Sequence, residues 1–419
     1  MRSLTVASSS WSSPSWRLLL LVCACVTALS FLFASSHDRH NPVSHFFRPD
    51  ATTYAAGYSD ERARAGRQYL LEASQKLDPD RHNDGARADL AVVVLTVARP
   101  ALQQQQQYLD ASLGSLLEAI DADARRHLFI NVVFGDADPE THPLFHADWL
   151  RRTADELTVR RLPSSEEWSP SSLPPLHVSP MPADAPTTPP KTSAWHQKAT
   201  LDYAMALLAC GRAAAAARAS HCLVLEDDTV LASSWHAELR AYLAQAHQWP
   251  AGSWGHMRLF YAEKYFGWED TEVGPLVASI ASLTAAVALV LRVVLRARLA
   301  TTAVVCVFVA AQLVLLVLAG RNHVFPVARG LSTMNTRGCC TQAIVYPTAL
   351  VDELARHLVA HAGERPYDIS LDAHLAARGL AKLATHPPLV QHIGAASSRA
   401  HYARASPLWS FAFERRRPR

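Results

Sequence analysis

Hydrophobic residues along the chain are concentrated in two long uncharged stretches, and shorter apolar runs lie elsewhere. The first long stretch, Leu18–Ala34, follows Arg17 and precedes charged residues. A helix that rises 1.5 Å per residue needs about 17 residues to cross a hydrocarbon core of ~30 Å. We therefore predict a membrane anchor at 18–34 behind a cytoplasmic tail at 1–17. A cleavable signal peptide is the alternative, but no small-residue cleavage site directly follows the run.

The second long stretch, residues 275–320, is interrupted once by positive charge. Arg292, Arg296 and Arg298 fall between two uncharged runs. Two spans joined by so few residues form a tight hairpin, with the arginines at its tip in the lipid headgroups. By the positive-inside rule this tip, residues 292–298, is cytoplasmic, so the chain outside the membrane is predicted to be lumenal. A pair of buried core helices is the alternative, but it does not explain arginines at the turn.

The shorter apolar runs alternate with helical segments. The predicted strands are Leu90–Val97, Leu128–Phe134, Leu157–Leu162, His221–Leu225 and Cys339–Tyr346; the predicted helices are Asp60–Leu77, Gln103–Ile120, Ala194–Cys210 and Ile369–Arg378. Continuous apolar runs of this length are typical of strands in parallel sheets. The alternation predicts an α/β domain with a mostly parallel sheet.

The hairpin divides this α/β domain into two parts along the chain. A lumenal stem and helix at 35–88 precedes the first part at 89–274, and the second part follows at 321–400. Residues 163–190 are rich in proline and serine. Because such a composition cannot form a packed core, it predicts a mobile loop. The basic residues of 401–419 predict a solvated tail.

Composition and charge exclude two classes of protein. The 419 residues include 40 Lys+Arg and 37 Asp+Glu, for a formal net charge of +3. This balance excludes a nucleic-acid binder with a clustered basic face. The cysteines lack a C-x-x-C spacing, which argues against structural zinc. Four cysteines lie outside the apolar stretches: Cys210, Cys222, Cys339 and Cys340. They are candidates for two lumenal disulfides, and the sequence leaves open which cysteines pair.

The candidate chemistry begins where the predicted strand 221–225 ends. Glu226, Asp227 and Asp228 follow it directly, and open α/β sheets bind ligands at the carboxyl ends of their strands. Adjacent carboxylates repel each other unless a cation neutralises them, and a hard divalent cation on phosphate oxygens is a common partner. The triplet resembles the D-x-D-like acid cluster of GT-A glycosyltransferases, and this resemblance implies that it holds manganese or magnesium against a nucleotide diphosphate. His392 is a candidate further metal ligand, with a structural histidine as the alternative.

Four other polar residues are candidates for contact with the nucleotide sugar. Thr96 and Arg99 end the first predicted strand, where an arginine can pair with a diphosphate. Lys198 and Asp202 lie four residues apart on one face of a predicted helix. A surface ion pair is the alternative interpretation of Lys198 and Asp202.

The acceptor side of the site has a second set of candidates. Glu263, Lys264 and Trp268 mix aromatic and polar groups in a way that suits a sugar acceptor. Asp368 is a candidate general base for an acceptor hydroxyl. Its alternative role is N-capping of the predicted helix 369–378.

Several of these segments together resemble the Golgi GPI N-acetylgalactosamine transferases. The resemblance rests on Leu223–Asp228 (LVLEDD), the helix with Lys198 and Asp202, Glu263–Trp268 (EKYFGW) and above all the hairpin. It covers about residues 88–400. That family has three membrane spans and a glycosyltransferase domain of the GT-A fold, which the hairpin splits.

Two further elements resemble the N-acetylglucosaminyltransferases that branch N-glycans. They are Pro366-x-Asp368-x-x-x-Asp372 and Gln391-His392-x-Gly-x-x-Ser-Ser. Both elements lie in the second part of the predicted domain, and the likeness suggests a shared ancestral site.

The resemblance to the GPI transferases implies a hexosaminyltransferase in the Golgi membrane with a lumenal catalytic domain. It would add a sugar, N-acetylgalactosamine from UDP-GalNAc, to the mannose core of GPI anchors, with inversion and with help from a divalent cation. Glu226, Asp227 and Asp228 would bind the metal and diphosphate, and Asp368 would be the base. The implied partners are the UDP-sugar, GPI-anchored proteins or the GPI glycan, and the bilayer. N-glycan or glycolipid acceptors, or a non-catalytic scaffold with the same fold, are the alternatives.

Overall fold

The computed structural model describes residues 14–50, 52–75, 87–99, 107–160, 177–180, 194–250, 252–336, 338–394 and 408–416. The chain divides into two compact units. We call residues 1–53 and 263–327 the helical unit, and residues 54–262 and 328–419 the sheet unit. Each unit is therefore built from two separate stretches of the chain.

The described residues form helices and strands in alternation. The helices are α1 (Pro14–His37), α2 (Tyr58–Gln75), α3 (Leu109–Glu118), α4 (Ala122–Arg126), α5 (Asp148–Thr153), α6 (Ala194–Ala217), α7 (Trp235–Ala246), α8 (Asp270–Leu289), α9 (Leu299–Ala319), α10 (Arg321–Val324), α11 (Thr348–Ala360), α12 (Tyr367–Ala377) and α13 (Phe411–Glu414). The strands are β1 (Leu90–Thr96), β2 (Leu128–Phe134), β3 (Glu156–Val159), β4 (His177–Pro180), β5 (His221–Glu226), β6 (Thr229–Leu231), β7 (Trp254–Arg258), β8 (Gly330–Thr333), β9 (Ala343–Pro347), β10 (Ala381–His386) and β11 (Val390–His392).

The helical unit contains three helices that are long and apolar enough to cross a membrane. They span Trp16–His40, Asp270–Val294 and Leu299–Ala319. Their side chains point outward: Leu29 is 65 % exposed and Val307 is 70 % exposed. Since apolar surface of this extent needs a lipid or protein partner, the chain is a membrane protein.

Polar contacts join the helices of this unit. Gln312 Nε2 in α9 donates to Thr27 Oγ1 in α1 at 3.1 Å, and interhelical hydrogen bonds of this kind stabilise membrane helix packing. Trp268 Nε1, just before α8, donates to the Val317 carbonyl at 2.9 Å. Residues 290–298 connect α8 and α9, and Arg292 in this connection donates to the Ala297 carbonyl at 2.7 Å. The arginines of the predicted tip thus lie in this short connection.

The core of the sheet unit is a nine-stranded sheet of described residues, in the order β4-β3-β2-β1-β5-β9-β7-β10-β8. The first five strands run parallel, and β7 pairs parallel with β10. Only β9 and β8 pair antiparallel to their neighbours. The apolar runs in β1 and β5 are buried on both faces, as in parallel sheets. The predicted α/β class with a mostly parallel sheet is confirmed.

The Pro/Ser-rich segment 163–190 differs from the predicted loop over part of its length. Residues 177–180 form β4, which pairs parallel with β3 at the edge of the sheet. Strand pairing uses backbone groups, and an edge strand tolerates proline on its free side. The composition of the segment therefore did not reveal the strand β4. The remainder of the segment, 163–176 and 181–190, lies outside the described residues.

The C-terminal residues 408–416 also differ from a solvated tail. Phe413 of α13 is fully buried, and Arg416 pairs with Glu238 at 2.9 Å. The Glu414 carboxylate accepts hydrogen bonds from the backbone N–H groups of residues 57–59 at the start of α2. A carboxylate in this position satisfies free N–H groups and complements the helix dipole.

Acid is expected to destabilise the sheet unit through His221, at the start of β5. Burial, and then the nearby His247, lowers the pKa of His221 from 6.5 to about 4. Because the unfolded chain binds this proton at higher pH, the free energy of unfolding should fall as pH drops from 6.5 towards 4, by up to about 3 kcal/mol from this group. Thermal unfolding in detergent across this range measures the slope. His221→Phe should reduce this slope by the share of one histidine, since His142 has a similarly lowered pKa, and an unchanged slope would contradict the assignment.

Candidate active site

Polar side chains lie at the carboxyl ends of neighbouring parallel strands. Thr96 ends β1, Asp136 follows β2 closely, Arg160 follows β3, and Glu226 ends β5 with Asp228 just beyond. Parallel strands end at the same edge of a sheet, so these groups share one edge, where α/β folds bind their ligands. The structure thus assembles a polar site at the edge that the sequence indicated.

Asp227 is held by other protein groups rather than left open. Its two carboxylate oxygens accept from Arg99 NH1 and NH2 at 2.7 Å each, and Thr96 Oγ1 donates to it at 2.6 Å. Asp227 is 2 % exposed and Arg99 5 %. Burial alone would lower the pKa of Arg99, but the charges of Asp227 and Asp228 raise it above its usual range. The pair is a buried, bidentate ion pair.

His142 extends this arrangement and was not predicted. The Leu144 backbone N–H donates to His142 Nδ1 at 3.2 Å, so the proton of the neutral ring lies on Nε2 and faces Thr96 Oγ1 at 2.9 Å. Burial lowers the pKa of His142 to about 4, which keeps the ring neutral. His142 therefore donates to Thr96, which donates to Asp227. The sequence did not indicate His142, because this residue lies in the loop after β2 and belongs to no recognised motif.

Asp228 lies beside His392. His392 Nε2 is 3.3 Å from Asp228 Oδ2, and its Nδ1 lies 3.3 Å from the Leu408 carbonyl, to which an Nδ1–H would donate. Gly394 packs directly against both side chains. A Cβ at this position would collide with Asp228 Oδ2 and lie 2.8 Å from His392 Nε2. The predicted proximity of His392 to the acid cluster is present in the structure.

These contacts show which residues suit a divalent cation. A carbonyl that accepts Nδ1–H turns the Nε2 lone pair of a neutral histidine towards a metal, so Asp228 and His392 form a fitting donor pair. Asp227 fits less well, because both its oxygens bind Arg99 at 2.7 Å, whereas the contact of Arg99 with Asp228 is a single longer one, 3.4 Å from NH2 to Oδ2. Within the described ranges, no group of three or more His, Cys, Asp or Glu side chains is arranged as a metal site. Metal binding by Glu226, Asp227 and Asp228 stays a prediction.

Glu226 has a third environment. Its Oε1 accepts from Thr341 Oγ1 at 2.8 Å and from Tyr367 OH at 3.1 Å. Burial, and then the charge of Asp228, raises the pKa of Glu226 to about 7. Three consecutive acidic residues thus have three different surroundings.

Lys198 and Asp202 form the ion pair that the sequence analysis gave as an alternative. The pair does not stand alone at the surface, because it also contacts the edge of the sheet. Lys198 Nζ lies 2.5 Å from Asp202 Oδ2 and donates to the Gly135 carbonyl at 3.0 Å. Arg160 binds the other oxygen of Asp202 and also donates to Gly135 at 3.2 Å. Asp136, next in sequence, accepts a backbone hydrogen bond, and burial raises its pKa. Asp136 and Arg160 are additions to the predicted set.

The two aspartates at the start of α12 differ in accessibility. Asp372 is bound by Arg258 and Lys382, each at 2.9 Å. Asp368 is half-buried and lies in the first turn of α12, whose N-cap residue is Pro366. Asp368 Oδ1 accepts from the Ile369 backbone N–H at 2.9 Å, so it satisfies one N–H of that turn, as the capping alternative proposed. Of the two, Asp368 is the one accessible to an acceptor.

The predicted acceptor residues fall in the helical unit. Glu263 and Lys264 lie in a short helical turn, Glu263–Phe266, and Lys264 Nζ is 5.2 Å from the centre of the Tyr265 ring. Trp268 is hydrogen-bonded to α9. Their role at an acceptor stays a prediction.

Carboxylates at the end of a central parallel strand, in a chain with three candidate membrane spans, indicate a membrane-bound α/β enzyme of the glycosyltransferase class. The model of the family described as GPI-N-acetylgalactosamine transferase PGAP4 matches residues 90–391, and the chain belongs to this family. The match begins at β1 and ends in β11, so it includes the acid cluster and Asp368. The predicted family is confirmed. No curated protein matches the chain significantly.

Proposed function

We propose that this protein transfers N-acetylgalactosamine from UDP-GalNAc to a mannose of the GPI core, with inversion, in the Golgi membrane. The observation that carries the proposal is the family match over residues 90–391. The polar edge of the sheet supports it, because that is where a nucleotide-sugar donor would be bound.

In the proposed reaction, Asp368 accepts the proton of the acceptor hydroxyl as that oxygen attacks the anomeric carbon. The bond from this carbon to the UDP oxygen breaks, and UDP leaves with the electron pair. Asp228, with His392 beside it, would hold a divalent cation, manganese in our proposal. Such a cation supplies positive charge against the leaving diphosphate. Arg99 and Thr96 keep Asp227 in place behind Asp228.

Lys198 is the proposed contact to the donor diphosphate. Its side chain is 46 % exposed although it pairs with Asp202, so its ammonium group can reach a phosphate at the sheet edge. Asp136 and Asp202 are proposed to line the same end of the donor site.

The membrane spans suit the proposed substrate. A GPI anchor confines its glycan to the bilayer surface, and three candidate spans confine this enzyme to the same surface. Confinement raises the effective concentration of the two partners without any new contact. We propose that the sheet unit is lumenal, where the glycan of a GPI-anchored protein is found.

Mass spectrometry of GPI glycans from cells with and without this protein tests the proposal. We expect the loss of one N-acetylhexosamine from the mannose core, restored by the wild-type chain. Purified protein supplied with UDP-GalNAc, UDP-GlcNAc or UDP-galactose then identifies the donor. Unchanged GPI glycans together with altered N-glycans or glycolipids would show that the acceptor is one of these glycans instead of the GPI core. No change in any glycan would refute the transferase activity.

A further inference from the structure

The four cysteines outside the apolar stretches do not pair as two disulfides. Cys339 and Cys340, adjacent in the chain, are bonded to each other, whereas Cys210 and Cys222 are buried free thiols. The bonded pair begins the segment 339–342, which we call the disulfide segment. It directly precedes β9, which is why the predicted strand Cys339–Tyr346 starts only at Ala343.

The disulfide segment contacts two carboxylates of the site. Cys339 Sγ lies 3.8 Å from Asp368 Oδ2. Thr341 Oγ1 donates to Glu226 Oε1 at 2.8 Å, and the Glu226 backbone N–H donates to the Gln342 carbonyl at 2.8 Å. A few consecutive residues therefore contact both the proposed base and the acid cluster.

The backbone of the segment is held in an unusual conformation. Cys340 has φ = +95°, a region that residues with a Cβ rarely adopt and that persists only where surrounding contacts impose it. Arg258 Nε donates to the Cys340 carbonyl at 2.9 Å, and Arg258, fully buried, is itself bound to Asp372. The segment is thus fixed by the disulfide and from within the core.

We propose that the Cys339–Cys340 disulfide is a positioning element for transfer, which sets Asp368 and Glu226 in their catalytic arrangement. This inference rests on the proposed function, since it assigns Asp368 as the base. Reduction breaks the S–S bond: a dithiol reductant gives two electrons and two protons, two cysteine thiols form, and the reductant becomes a disulfide. The released segment is then free to move Cys339 relative to Asp368 and Thr341 relative to Glu226. A displacement of about 1 Å can cost roughly 100-fold in rate.

The test compares oxidised and dithiothreitol-reduced wild-type protein in detergent, with the redox state verified by mass spectrometry. We expect kcat to fall roughly 10- to 100-fold on reduction, with little change in the KM for UDP-GalNAc or in melting temperature. Reoxidation should restore the rate. Cys339→Ser/Cys340→Ser should have the low rate and no response to the reductant. A merely structural role would instead lower the melting temperature together with the rate.

Variants at the other cysteines and at Thr341 test whether the effect on kcat is specific to the disulfide segment. Cys210→Ala/Cys222→Ala removes the other two cysteines of the sheet unit and should keep both the rate and the response to reductant. Thr341→Val should lower kcat, whereas Thr341→Ser, which retains the hydroxyl group, should restore it. Full activity of Cys339→Ser/Cys340→Ser would overturn the proposal.

Hydrogen exchange separates this inference from the proposed function. Reduction should increase amide exchange at the first turn of α12 and around residues 226–228, whether or not the protein transfers sugar. Unchanged exchange in both places would refute the positioning role. Increased exchange in a wild-type protein that transfers no sugar would support the positioning role and refute the proposed function.

Discussion

Asp228→Asn is expected to lower the rate of GalNAc transfer by about 10²–10³-fold or more, the range seen when one group that stabilises transition-state charge is lost. The substitution keeps the size of the side chain but removes the charge beside His392, where we propose that the cation and diphosphate are bound. Asp228 is 6 % exposed, so no solvent ion can readily replace it. Initial rates with UDP-GalNAc and a GPI acceptor in detergent measure the loss.

A matched control tests whether the effect is local to the site. Asp123→Asn makes the same chemical change at a side chain that is 76 % exposed and pairs with Arg126 at the surface. It should leave the rate unchanged. Melting temperatures of both variants should stay close to that of the wild type. If the Asp228→Asn protein transfers sugar at the wild-type rate, Asp228 has no part in the reaction.

Arg99→Met is expected to destabilise the sheet unit by about 3–5 kcal/mol, because it leaves the buried charge of Asp227 without its partner. Methionine retains much of the apolar stem, so most of the loss is electrostatic. Urea unfolding in detergent, followed by tryptophan fluorescence, measures the change in the free energy of unfolding.

The double variant Arg99→Met/Asp227→Asn should recover part of this loss, since neither charge then remains buried alone. Arg126→Met serves as the surface control: Arg126 is 46 % exposed and its partner is Asp123. It should change the free energy of unfolding by no more than about 0.5 kcal/mol. If Arg99→Met costs no more than Arg126→Met, Arg99 does not neutralise Asp227 in the folded protein.

The central strands were predictable because their signal is local. The apolar runs of β1, β2 and β5 are continuous and bounded by polar residues, so each strand can be recognised without its neighbours. The strand β4 lacks such a run and exists through backbone pairing with β3. Its position could not be obtained from residues 163–190 alone.

The site was predictable in location but not in the roles of its residues. Glu226, Asp227 and Asp228 look equivalent along the chain, and only long-range contacts distinguish them. Asp227 binds Arg99, 128 residues away, and Glu226 binds Thr341, 115 residues away. Such partners have no fixed spacing in sequence, which is why the ion pair between Arg99 and Asp227 was not predicted, and contact of Arg99 with the nucleotide stays a prediction.

The contact between Glu414 and the start of α2 affects how the protein is made. Its hydrogen bonds join residues up to 357 positions apart, so they can form only after residue 414 has been synthesised and has left the ribosome. Until then, the first turn of α2 lacks this carboxylate and the place of Phe413 is open. The sheet unit therefore cannot be completed until Phe413 and Glu414 are available, and until then the chain exposes apolar surface of the kind that promotes aggregation during folding.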